Sequence, residues 1–272
     1  MQRIFLESSA IAEANRLSLD AAEACHHLER CGYSPVLGLH VVYEMAGAFL
    51  HPELSETGKA HFRFIRDLDP SLSPETWNLL EQELLKLRTN AAVLPFLNHA
   101  NRASTRYEIH RLAEGVFDNT ARSFISSHEA KIKQEYPRMV GRYLDHLKER
   151  RAAMGNDFPP LRTFEDVRKY FADKTPEMIG EILRGNANTS ETREIAARID
   201  QFPVIRTTVG ANLYMMYICI VHGVAPGDGK IDDYRHLIDA SYSDAYISYD
   251  EKLVRAQRHI APSLRLARWQ EL

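Results

Sequence analysis

Arg3-Ile4-Phe5-Leu6-Glu7-Ser8-Ser9, at the start of the chain, sets three consecutive apolar residues against an acid and two hydroxyls. Such a run suits a buried strand, because a strand covered on both faces of a parallel sheet is apolar throughout. The polar residues then emerge at its carboxyl end. Working outward, Ser18–Cys31 carries Ala21, Ala22, Cys25 and Leu28 at helical spacing, with Ser18 as the expected N-cap and Gly32 as the stop. Pro35 then opens Val36-Leu37-Gly38-Leu39-His40-Val41-Val42, a second expected strand that runs into Glu44. Strand, helix, strand is the signal of a βαβ unit, whose crossover makes the sheet parallel.

The composition agrees with a folded α/β protein. Of 272 residues, 44% are hydrophobic and 26% charged, which argues against a disordered or collagen-like chain. Thirty-four Lys and Arg against thirty-seven Asp and Glu leave a net charge of −3, which excludes a globally basic nucleic-acid coat but allows a local basic patch. Cys25, Cys31 and Cys219 form neither a paired framework nor a CxxC knuckle, so a reducing, cytoplasmic setting is expected, with the thiols in or beside the core. Glu7 interrupts the opening apolar run too early for a signal peptide. The most apolar stretch, Thr207–Val221, falls short of the roughly 18 residues of a membrane span. It reads as a buried core helix that includes Tyr214, Met215, Met216 and Tyr217, and no membrane partner is expected.

Residues 74–201 differ in character. Charged residues at helical spacing dominate, as in Trp77-Leu80-Leu84-Leu87 and Tyr136-Val140-Tyr143-Leu147, and the expectation is an all-helical insertion between a core of residues 1–73 and 202–272. Breaks are expected near 98–104, 155–160 and 185–190. Lys131–Arg151 holds seven basic residues against three acids, which suits either a phosphate-facing surface or a solvated helix face. Beyond it, a helix starts at Asp232-Asp233 and reaches about Ser241, Ala245–Tyr249 is a strand ending in Asp250, a helix follows to Arg258, and a last short strand lies at Leu264–Ala267.

Four acids stand out by position. Glu7 closes the first strand, Glu44 stands beyond the second, Asp250 closes a late strand and Asp233 opens a helix. In an open parallel sheet the ligand crevice lies beyond the carboxyl ends of the strands, where these acids can converge. Carboxylates about 5 Å apart repel by roughly 3 kcal/mol per pair at an effective dielectric of about 20, so such a cluster needs a cation or protons. Oxygen ligands favour Mg²⁺ or Mn²⁺ over zinc. Asp232 and Asp233 also suit helix capping, and the adjacent His26-His27 point in different directions on a helix and suit the surface.

Ile4-Phe5-Leu6-Glu7-Ser8-Ser9-Ala10-Ile11 resembles the opening strand and turn of the PIN-domain nucleases. Asp233-Tyr234-Arg235-His236-Leu237-Ile238-Asp239-Ala240, followed by Tyr242-Ser243-Asp244-Ala245-Tyr246-Ile247-Ser248-Tyr249-Asp250, is similar to that family's acid-led helix and its strand ending in Thr/Ser-x-Asp. The resemblance covers about residues 1–70 and 205–272. It implies a three-layer α/β/α fold with a central parallel sheet, and a nuclease that binds Mg²⁺ or Mn²⁺ through Glu7, Glu44, Asp233 and Asp250. Ser9, Asp244 and Ser248 would be auxiliary, and Arg235 and His236 would meet the nucleic acid. The implied substrate is RNA, with single-stranded DNA as the alternative, and there is room for a homodimer and for an inhibitory protein partner. PIN nucleases usually carry Asp at the first acidic position, so Glu7 is a departure by one methylene. A module without catalysis, binding RNA or protein, is the competing expectation.

Overall fold

The structure is a computed structural model. It describes residues 1–135, 137–224 and 230–272, with the side chains of 128–140 and 230–233 outside that description. In chain order the elements are β1 (Gln2–Leu6), α1 (Ser8–Arg16), α2 (Ala21–Arg30), β2 (Tyr33–Gly38), α3 (Leu39–Ala46), α4 (Ser55–Leu68) and β3 (Ser71–Ser73). A helical stretch follows: α5 (Thr76–Thr89), α6 (His99–Ala113), α7 (Asn119–Glu135), α8 (Pro137–Met154), α9 (Phe164–Tyr170), α10 (Thr175–Ile182) and α11 (Thr189–Ala197). The chain closes with α12 (Pro203–His222), α13 (Lys230–Asp239), β4 (Ala245–Ile247), α14 (Glu251–Ile260) and β5 (Arg265–Ala267).

The five strands form one sheet in the order β3-β2-β1-β4-β5, and every pairing is parallel. β1 is central because Ile4, Phe5 and Leu6 are fully buried on both faces of the sheet. Its neighbours are β2 on one side and β4 on the other, with Ile4 opposite Pro35 and Ala245. The chain therefore changes direction across the sheet beside β1, and the carboxyl ends of β1 and β4 flank the crevice that such a reversal opens. The architecture is α/β with an all-parallel sheet, as expected, and is compatible with three layers.

Several boundaries differ from the sequence reading. The second strand ends at Gly38, and Leu39–Ala46 is helical. A run apolar at nearly every position satisfies a buried helix as well as a buried strand, so periodicity does not separate the two. Gly38 is where the backbone comes close to its neighbours: a Cβ there would stand 3.0 Å from Asp239 Oδ2 and 3.1 Å from Phe5 Cζ. β3 was not anticipated, because three residues carry no alternation to read. Ser18 is not a cap; it has φ +54°, and Asp20 caps α2 in a capping box with Glu23. Cys31 is exposed rather than packed beside the core, while Cys25 and Cys219 are half-buried.

Residues 74–201 contain α5 to α11 and, among the described residues, no strand. Their apolar side chains continue the same core as those of the sheet. In the described part of the basic stretch, Arg142 pairs with Glu181 at 3.2 Å and Lys148 with Asp145 at 2.9 Å, while Tyr143 and Leu147 turn inward. α12 begins four residues earlier than Thr207 and is long and apolar enough to cross a membrane by length and composition, with 61% of its most apolar window buried inside the protein. Val204, Ile205, Val209, Met215 and Met216 are among its core residues.

The amino end of α12 is held by Glu83 of α5, a carboxylate with no exposed surface. Its two oxygens accept the N–H groups of Val204 and Ile205, each at 2.9 Å, and Tyr242 donates to it at 2.9 Å. These are the donors a helix leaves unpaired at its start, and the helix dipole favours a negative charge there. Burial nevertheless dominates and raises the Glu83 pKa to about 7, against the pull of the three hydrogen bonds. A carboxyl whose folded pKa lies above its unfolded value contributes stability below about pH 4.5 that is lost as the pH rises through about 7. Urea denaturation of the native chain is therefore expected to give a free energy that falls between pH 5 and 8, and Glu83→Gln should remove this component. Glu83→Ala, which strands both N–H groups and the Tyr242 hydroxyl, is expected to destabilise the fold by about 3 kcal/mol.

Candidate functional site

β1 ends at Leu6, and Glu7 is the N-cap of α1. With 5% of its surface exposed, this carboxylate must find its partners inside the protein. Oε2 accepts from the Ser9 backbone N–H at 3.1 Å, from the Ser9 hydroxyl in a short bond, and from Ser248 Oγ at 3.1 Å. Oε1 accepts from Ser8 Oγ at 2.5 Å and faces His236 Nε2 at 3.7 Å. The extra methylene relative to Asp lets the side chain fold back over the start of α1 while the second oxygen reaches outward.

The same serines join two turns. Ser9 Oγ accepts the Tyr249 N–H at 2.8 Å, and Ser248 Oγ accepts the Asp250 N–H at 3.2 Å. The turn after β1 and the turn after β4 are thus fastened together through Glu7. Asp250 is the N-cap of α14, with Oδ1 accepting from Lys252 N at 2.7 Å and Leu253 N at 3.2 Å. Below the turns, Trp269 donates from Nε1 to the Ala10 carbonyl at 2.8 Å and takes an edge-on contact with Phe64, which pins the end of the chain against α1 and α4.

Glu44 lies one and a half turns into α3, and its Oε2 is 3.0 Å from His236 Nε2. Burial raises the Glu44 pKa, but the hydrogen bond and charge of His236 outweigh it and hold the carboxyl below its ordinary value. His236 projects from α13 with 5% of its side chain exposed. Burial disfavours its imidazolium, yet the Glu44 hydrogen bond and the charges of Glu44, Glu7 and Asp239 prevail and push it up to about 9. His236, expected to meet nucleic acid, lines the cleft and sits between two carboxylates, Glu7 and Glu44.

Glu7, Ser8, Ser9, Glu44, His61, His236 and Asp250 line one cleft of about 370 Å³. Burial lowers the pKa of His61, whose Nδ1 has no hydrogen-bond partner. No protein-family model, curated protein or solved structure matches the chain. The site must therefore be judged on its own geometry.

That geometry brings Glu7, Glu44 and Asp250 to one cleft, with Ser9 and Ser248 holding Glu7. The side chain of Asp233 lies outside the described residues. Asp244 is at the wrong end of the sheet: its Oδ2 accepts the Arg3 N–H at 2.7 Å, at the amino ends of β1 and β4, about 10 Å from the cleft for a three-residue strand. Arg235 is half-buried, acts electrostatically on Asp239 and does not line the cleft.

The sequence reading missed His40, His61 and Asp239. Asp239 is 2% exposed and accepts from Thr76 Oγ1 at 2.6 Å, while its Oδ2 has no partner. Burial raises it to about 6. An acid directly after Leu237-Ile238 in a helix was the available signal. Glu7→Asp is expected to destabilise the protein by about 1–2 kcal/mol in urea denaturation, because the shorter side chain loses the Ser248 bond and loosens its cap on α1.

Proposed function

We propose that this chain is a PIN-like nuclease that hydrolyses phosphodiester bonds, acting on RNA, with a divalent cation held in the cleft. The observation that carries the reading is that Glu7, Glu44 and Asp250, from three distant parts of the sequence, line one cleft at the carboxyl ends of parallel strands. Serine donors hold Glu7 in place. The choice of RNA, and of Mg²⁺ or Mn²⁺, follows from the sequence resemblance.

The donor set fits a divalent ion. Glu7 engages Oε2 with Ser9 and Ser248 and leaves Oε1 with one hydroxyl donor, and the cap bonds from Lys252 and Leu253 both go to Asp250 Oδ1. Glu44 is half-exposed and faces the cleft. A bound ion would supply a water of lowered pKa and neutralise charge developing on the phosphodiester. The chain's own contribution is placement: Ser9 and Ser248 fix the Glu7 carboxylate, the amino end of α14 fixes Asp250, and His236 fixes Glu44. A network that locks each acid avoids the displacement of about 1 Å that can lower a rate about 100-fold.

A second reading, an RNA- or protein-binding module without catalysis, is favoured by His236, whose imidazolium already balances Glu7 and Glu44. Cleavage assays separate the two. Full-length protein with Mn²⁺ is expected to cut single-stranded RNA, and matched DNA oligonucleotides test the alternative substrate. Asp250→Asn should lower cleavage by about 100-fold or more. Its stability should be nearly unchanged, because Asn keeps a capping oxygen for Lys252 and Leu253, whereas Asp250→Ala should lose about 1 kcal/mol. RNA bound but left intact with every divalent ion tried would favour the module instead.

A further inference from the structure

His40 and Glu44 stand four residues apart on α3, so their side chains share one face of that helix. His236 comes from α13 to meet them, with Nε2 3.0 Å from Glu44 Oε2 and its ring centroid 5.1 Å from that of His40. One donor atom from each of the three lies within 4.8 Å of the other two. Two donors bound to one ion at about 2.1 Å each stand about 3 to 3.5 Å apart, so small side-chain movements bring the set to coordination distance. His40 and His236 are 8% and 4% exposed, whereas the Glu44 side chain is 46% exposed. The set is thus closed on its nitrogen side and open to the cleft on its oxygen side, the form of a site that keeps a coordination position for substrate or water.

We propose that His40, Glu44 and His236 bind one divalent transition-metal ion through two imidazoles and a carboxylate. Mg²⁺ prefers oxygen ligands in near-ideal octahedral geometry, and two imidazole nitrogens disfavour it; Mn²⁺, Co²⁺ and Zn²⁺ accept them. The ion takes the place of the proton between His236 Nε2 and Glu44 Oε2, and that proton leaves to solvent. Glu7, whose Oε1 is 3.7 Å from the same nitrogen, lies beside the ion as a further carboxylate. This inference deepens the nuclease reading by naming the ion class that the cleft takes, and it rests on that reading for its catalytic meaning only.

The test uses the full chain, stripped with a chelator and titrated separately with Co²⁺, Mn²⁺ and Mg²⁺. Co²⁺ is expected to bind one per chain with visible d–d bands, and bound Mn²⁺ to show nitrogen coupling in pulsed electron paramagnetic resonance. Mg²⁺ should compete at least about tenfold more weakly than Mn²⁺. His40→Gln, His236→Gln and Glu44→Gln should each weaken Co²⁺ binding more than about a hundredfold, beyond what loss of a mere supporting contact costs. If a buried histidine variant fails to fold, half-exposed Glu44→Gln and the spectra of the native chain still decide the matter. Mn²⁺ coupled to oxygen alone, or no bound Co²⁺, overturns the proposal. RNA cleavage without nitrogen coupling would sink this inference and leave the nuclease reading standing. Nitrogen-coupled metal without cleavage of RNA or DNA would do the reverse.

Discussion

A carboxylate at the end of the central strand has to be satisfied inside the protein, and the cleft is built around that requirement. Glu7 follows three fully buried residues and is itself 5% exposed, so bulk water cannot solvate it. Three donors converge on Oε2, two from Ser9 and one from Ser248, and they tie the turn after β1 to the turn after β4. The remaining oxygen looks toward His236, which in turn pairs with Glu44. Two unit charges about 4 Å apart attract by about 4 kcal/mol at an effective dielectric near 20. That is enough to hold an imidazolium in a position where burial alone would expel its proton.

Another buried carboxylate, Glu83, obeys the same rule with a different partner. It meets the unpaired N–H groups at the start of α12 and a tyrosine hydroxyl, with no cation in its hydrogen bonds. Its pKa of about 7 and that of about 9 at His236 show the two outcomes. Hydrogen-bond donors without a full charge only partly offset desolvation, whereas neighbouring carboxylates overcome it. Glu83 thereby joins the helical stretch to the long apolar helix, and that helix packs against α13 and α14, which carry His236 and follow Asp250. The helices of residues 74–201 are in this way mechanically connected to the cleft without lining it.

Much of the frame was legible in the residues. The Ile4-Phe5-Leu6 run and the acid that ends it stand where they were expected, the strand before Asp250 is present but ends two residues earlier, at Ile247, and Glu7, Glu44 and Asp250 do share one cleft. The errors have physical causes. Reading 36–42 as a strand set His40 and Glu44 about 13 Å apart, whereas a helix brings them within about 6 Å along its axis. The helical assignment is what makes them neighbours, so His40 escaped notice. Asp244 was expected as an auxiliary residue from the resemblance, but β4 separates it from Asp250, and a strand carries its ends to opposite edges of the sheet.

The sequence by itself determined the parallel α/β character, because buried runs separated by a helical crossover have no other economical arrangement. It also determined that a carboxylate, Glu7, ends the first strand. Only the tertiary structure decided what stands between them. The insertion of His236 between Glu7 and Glu44 depends on how α13 packs against α3, a contact between segments nearly 200 residues apart that no local pattern encodes. Electrostatic partners are chosen by distance in space, and that distance exists only once the chain has folded.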